Sequence, residues 1–199
     1  MASPRSTEVQ SRDGRLRRGE RSREAIVAAL FELVGEGVLQ PTAQQVAERA
    51  EVGIRSVFRH FEDMDRLFAT MDERLSADAL PILREAATGG SLRERARALA
   101  QRRARLFERI APYKRSANVQ RWRSNFLRTR HALLVRELRA DLLRSLPELA
   151  GAAPETLDAI DLLTSFEAWD RLRSDQRLSR ERAEATLESA LLALLEPAG

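Results

Sequence analysis

Three features of the sequence agree on an all-α fold. Apolar residues recur three and four positions apart through most of the length, no stretch alternates apolar with polar residues, and β-branched residues do not gather in runs. Nine glycines and seven prolines among 199 residues serve to punctuate helices rather than to build loops. With 43% hydrophobic residues the chain fills a core without covalent staples, and one or two domains are expected.

The helices follow in order. Residues 1–18 are polar, arginine-rich and without apolar periodicity, which predicts a disordered basic arm. Ser22 then offers an N-cap, and Ile26, Val27, Leu30, Phe31 and Val34 form one stripe that ends at Gly35-Glu36-Gly37. After Pro41, Thr42 with Gln45 makes a capping box for a short helix through Ala50, and Gly53 is placed to form the tight turn that follows. A third helix over about 55–61 gives Val57, Phe58 and Phe61 to the core, so the pair at about 42–61 has helix-turn-helix spacing. Leu67, Phe68, Met71, Leu75 and Leu80 mark a longer helix that Pro81 ends or kinks. Stripes from Leu92 to Ile110 before Pro112, and from Phe126 to Leu142 before Pro147, add further helices. The rows Leu157 to Leu172 and Ala183 to Leu195 give the last two. No repeat of fixed period argues for a solenoid.

Composition excludes several classes of function. Without cysteine there are no disulfides, thiolate metal sites or thiol nucleophiles, which suits a reducing cytoplasm. No run of about 18 apolar residues occurs, so no membrane partner is expected. Two histidines, His60 and His131, no glycine-rich phosphate loop and no His-Glu-x-x-His helix offer an enzyme no constellation; neither cofactor, metal nor catalytic residue is expected. The net charge of +4 hides strong asymmetry. Residues 1–23 are net +4, residues 24–66 net −4, residues 93–130 net +11 and residues 131–199 net −5. Lys114 is the one lysine, so the cations are almost all planar guanidinium groups suited to phosphate or carboxylate.

A helix-turn-helix lays its second helix in the major groove. Arg55 and Arg59, four residues apart, share one face of that helix, and arginine is the commonest reader of guanine O6 and N7. Thr42 stands at a helix start, where its hydroxyl and the first N–H groups suit a phosphate. The run Gln45-Val46-Ala47-Glu48-Arg49-Ala50, the pair Val52-Gly53 and the stretch Ser56-Val57-Phe58-Arg59-His60-Phe61 resemble the DNA-binding domain of the tetracycline-repressor (TetR) family. Phe166-Glu167-Ala168-Trp169-Asp170-Arg171-Leu172-Arg173 with the last apolar helix resembles the end of many members, and the likeness covers nearly everything after the arm.

That resemblance implies about nine helices: a helix-turn-helix domain over 19–79 and a larger ligand-binding and dimerisation domain over 80–199. It implies a cytoplasmic, nucleoid-associated regulator, usually a repressor. Such a protein binds a near-palindromic double-stranded operator as a homodimer through its last two helices and releases it on binding a small-molecule effector. By position, Thr42, Ser56, Phe58, Arg59 and His60 face DNA, with Arg17, Arg18 and Arg21 added by the arm. Two residues depart from the family pattern. Phe58 stands where a tyrosine usually touches a phosphate and Met64 where a lysine does, so the arm is expected to carry a large share of the phosphate contact.

Met71, Phe107, Tyr113, Trp122, Phe126, His131, Phe166 and Trp169 are the candidates to line an effector pocket, though aromatic and methionine residues at helical spacing are ordinarily core packing. Arg103, Arg123 or Arg130 turned inward would favour an anionic effector. The alternative function is a helical interaction protein that binds an acidic partner through its basic 93–130 segment.

Overall fold

The computed structural model describes residues 4–85 and 89–195, with side chains from Arg17 onward. Among the described residues all regular structure is helical, in nine α-helices: α1 (Pro4–Gly35), α2 (Ala43–Arg49), α3 (Ile54–His60), α4 (Met64–Arg84), α5 (Leu92–Gln120), α6 (Asn125–Ser145), α7 (Pro154–Leu163), α8 (Phe166–Asp170) and α9 (Arg180–Leu195). A 3-10 turn, Pro147–Gly151, precedes α7, and a π turn, Arg171–Asp175, follows α8.

Four elements differ from expectation. Residues 4–18, read as a disordered arm, are the opening turns of α1, and the helix does not start at Ser22. Pro4 stands where proline suits a first helical turn, and arginine, glutamate and glutamine then sustain the helix through Gly14 and Gly19. Residues 1–3 of the expected arm lie outside the described residues. Pro112, expected to end its helix, lies within α5, and Pro81, expected to end or kink its helix, lies within α4; each forgoes one N–H bond, and the turns on either side hold the helix. The stripe from Leu157 to Leu172 is not one helix. The hydroxyl of Thr164 bonds back to the Ile160 carbonyl, and Ser165 accepts from the Ala168 N–H as N-cap of a new helix, α8. Finally, the left-handed residue of the α2–α3 turn is Glu51 (φ 54°), whereas Gly53 is extended (φ −69°) and uses none of its conformational freedom.

The chain divides into two compact units, Met1–Arg74 with Pro112–Phe126, and Leu75–Ala111 with Leu127–Gly199. The division is not a single cut near residue 79, because the end of α5 belongs with the N-terminal helices. In the first unit, Ile26, Val27, Leu30 and Val34 of α1 bury against Val46, Val57, Phe61, Leu67 and Phe68. Tyr113 stands edge-on to Phe31 at 5.2 Å. Ser116 and Gln120 donate to the Leu39 carbonyl (2.9 and 3.1 Å), fixing the backbone ahead of α2. Ser124 donates to Asp65 at 2.9 Å.

The second unit holds two apolar clusters. One centres on Phe107, Phe166 and Trp169, and the other on Leu99, Leu142, Ile160, Leu187 and Leu191. Beside them lies a buried ionic cluster. Arg102 and Arg103 of α5 reach Asp141 of α6 at 3.1 and 3.2 Å, and all three side chains are at most 2% exposed. Arg102 also donates to Ser145 Oγ (2.6 Å), and Arg103 to the Leu138 carbonyl (2.6 Å). Burial pushes the Arg103 guanidinium down to about 10, against the pull of Asp141, so it keeps its charge at neutral pH.

Candidate nucleic-acid interface

The local geometry of α2 and α3 follows from few residues. Thr42 Oγ1 accepts from the Gln45 N–H (3.2 Å), and Gln45 Oε1 accepts from the Thr42 N–H (2.9 Å), completing the capping box. The Thr42 hydroxyl also donates to Gln45 Oε1 at 3.1 Å, so this residue is committed to holding α2. The Val52 N–H returns to the Ala47 carbonyl across the turn (3.0 Å), and the Ser56 N–H to that of Gly53 (2.7 Å). Val57 is buried in α3 and Phe61 directly after it, which anchors the helix by one side.

The opposite side of α3 faces solvent. At 100° per residue, Ile54 and Phe58 form one row, and Arg55 and Arg59 the row next to it. Arg55 and Arg59 are exposed, and Arg59 folds back to Ser56 Oγ at 3.3 Å. Phe58, expected in the core by its spacing and at the DNA face by resemblance, is 48% exposed. Ile54, 39% exposed, belongs to the same surface and was not among the expected residues. Its signal was present in the sequence as the i−4 neighbour of Phe58.

His60 ends this helix half-buried. Its Nε2 is enclosed without a hydrogen-bond partner, and burial, then the charges of Arg59 and Arg23, hold the imidazole below its ordinary value of 6.5. A Cβ built on Gly19 would stand 3.9 Å from His60 Cε1, so α1 passes alongside the end of α3. Arg17, Arg18 and Arg21, within two residues of Gly19, are exposed on α1. Arg23 stacks over the Phe61 ring at 5.1 Å and fixes the approach. Acidic residues of the unit are drawn to other cations. Glu32 and Glu36 hold Arg49 (3.3 and 2.8 Å), and Glu24 holds Arg74 (2.6 Å).

No protein-family model and no curated protein matches the chain. Solved structures do. A transcriptional regulator from Rhodococcus sp. Rha1 is 23% identical, with a TM-score of 0.61 over 89% of this chain and 95% of that one. A TetR-family regulator from Streptomyces coelicolor is 18% identical, with a TM-score of 0.65 over 88% and 81%. The chain has the TetR fold. The multidrug binding protein EbrR, solved with imidazole, shares it at 17% identity and a TM-score of 0.59, covering 92% of each chain.

Within this TetR fold the expected effector residues fall into separate places. Phe107, Phe166 and Trp169 come together in the second unit, with Phe107 5.7 Å from Phe166 and 6.4 Å from Trp169. Trp169 Nε1 donates to Glu108 (3.1 Å), which also receives Arg173 (2.8 Å); the Arg173 bond holds the Glu108 carboxyl below the usual range. His131 and Phe126 are half-buried, Met71 is core of the first unit and Trp122 is 77% exposed. Of the arginines considered for an anion, Arg103 turns inward onto Asp141, Arg130 donates to Ser76 (2.9 Å) and Arg123 to Gln120 (2.9 Å). Four arginines of the basic 93–130 segment meet acids: Arg95 meets Glu148, Arg97 meets Glu188, Arg105 meets Glu85 and Arg109 meets Asp78. These pairs remove much of the support for a free basic face that captures an acidic partner.

Proposed function

We propose that the chain is a sequence-specific DNA-binding transcriptional regulator, working as a repressor that releases its operator on binding a small molecule. The observation that carries this reading is the α3 surface. Arg55, Phe58 and Arg59 stand outward from a helix anchored by Val57 and Phe61, and α1, which passes His60 at Gly19, carries three further exposed arginines. Arg55 and Arg59 read base edges; Arg17, Arg18 and Arg21 take phosphates, with Ser56 and His60 at the margins of the surface. The N-terminal part of α1 supplies affinity that the acidic 24–66 segment does not.

The working form is a homodimer through the last helices. α7 carries Leu162, 70% exposed, and α9 carries Leu194, an exposed apolar pair that a second copy would cover. The effector binds in the second unit beside Phe107, Phe166 and Trp169, with His131 of the same unit as a further contact to test. Both α4 and α5 contribute residues to each unit. A mobility-shift titration against the DNA upstream of the chain's own gene, in excess competitor, tests the reading. Retention that survives competitor supports it, and no retention across a range of salt concentrations overturns it.

A further inference from the structure

The outward face of α3 holds two kinds of side chain, and the arginines explain only one. Ile54 and Phe58 remain 39% and 48% exposed on a helix of seven residues whose inner side is already anchored. Large apolar groups left in water on such a short element call for an apolar partner. In the major groove the base edges present acceptors and donors throughout, with one apolar group among them, the C5 methyl of thymine. The Ile54–Phe58 row lies directly beside the Arg55–Arg59 row, about 100° around the helix, so both rows enter the groove together.

We propose that Ile54 and Phe58 are specificity-determining residues that read thymine methyl groups next to the bases contacted by Arg55 and Arg59. The inference rests on the DNA-binding reading above and adds the base class that the apolar row selects. Ile54, in the first turn of α3, reaches the methyl nearest the N-terminal end of the helix. Phe58, one turn later, lays its ring on a neighbouring step. Operators bound by this chain therefore carry thymine beside guanine in each half-site.

The test uses the full-length protein and a duplex selected by it from a random library. Each thymine of that duplex is replaced in turn by deoxyuracil, which removes the methyl and leaves every hydrogen-bonding group in place. One or two positions per half-site should lose affinity by about fourfold each, the equivalent of one buried methyl. Ile54→Ala and Phe58→Ala, checked for parental helicity and melting, should each become indifferent to one of those replacements. They should still discriminate at the guanine positions. Deoxyuracil tolerated everywhere, or equal losses in parent and variants, overturns the proposal while leaving DNA binding intact. Failure to select any duplex overturns the DNA-binding reading, and this one with it.

Discussion

Asp141→Ala should be among the most damaging single substitutions outside the exposed α3 surface. Two guanidinium groups, 2% and 0% exposed, meet in this one carboxylate, which is itself fully buried. Removing one partner of a buried ion pair costs about 3–5 kcal/mol, because the remaining charge is stranded in a low-dielectric interior. Here two charges are stranded, while the bonds of Arg102 to Ser145 and of Arg103 to the Leu138 carbonyl survive and offset part of the loss. The upper half of that range is therefore expected, about 4–5 kcal/mol. At roughly 2–4 °C per kcal/mol for a chain of this size, Tm should fall by on the order of 10–20 °C in calorimetry at pH 7. A triple replacement, Arg102→Met, Arg103→Met and Asp141→Leu, should recover most of the loss, since it strands no charge. Asp158→Ala, which breaks one bond to the partly exposed Arg139, provides the surface comparison and should move Tm little. An Asp141→Ala protein melting within about 2 °C of the parent would refute the reasoning. So would a triple variant no more stable than the single one.

Arg59→Ala should relax discrimination at one base position of a selected operator, read by competition binding, with a loss of about 1–3 kcal/mol there. Arg18→Ala should instead weaken all sequences alike and lower the salt slope of binding by about 1. Glu51→Gly should stabilise the first unit by on the order of 1 kcal/mol in denaturant titration, since it relieves a left-handed residue bearing a side chain. Gly53→Ser should be neutral or slightly stabilising, because its backbone is extended and a built Cβ meets nothing. The half-buried His60 imidazole titrates below 6.5, so its contribution to stability is complete above that pH and is lost as pH falls through the lowered folded value. Thermal melts between pH 7.5 and 5 should show a steeper decline for the parent than for His60→Gln.

The elements read correctly were those set by local chemistry. The Thr42–Gln45 capping box and the spacing of the two short helices depend on residues within a few positions of one another, and both appear where expected. Features set by distant partners were not legible. Nothing near Arg102 or Arg103 in sequence announces Asp141, 39 residues from Arg102, and the same charges read equally as a ligand site. Pro112 read as a helix end and Pro81 as an end or a kink, because a proline states what bond it lacks and not whether neighbouring turns hold the helix. Gly53 drew attention away from Glu51, the residue that takes the left-handed conformation. On α3, type and spacing pointed to Arg55 and Arg59, and both are exposed on one face. Ile54 lay just ahead of the helix expected over about 55–61, and it is the observed start of α3 at Ile54 and its exposure that bring it onto this face.

Hydroxyl-radical footprinting on a duplex selected by the full-length protein bears most directly on the claim that α3 reads DNA from a dimer. Two protected patches are expected on one face of the duplex, centred about 34–36 Å apart, and both should vanish with Arg55→Ala/Arg59→Ala. A single patch, protection that follows no sequence, or a footprint unchanged in that double variant would contradict it.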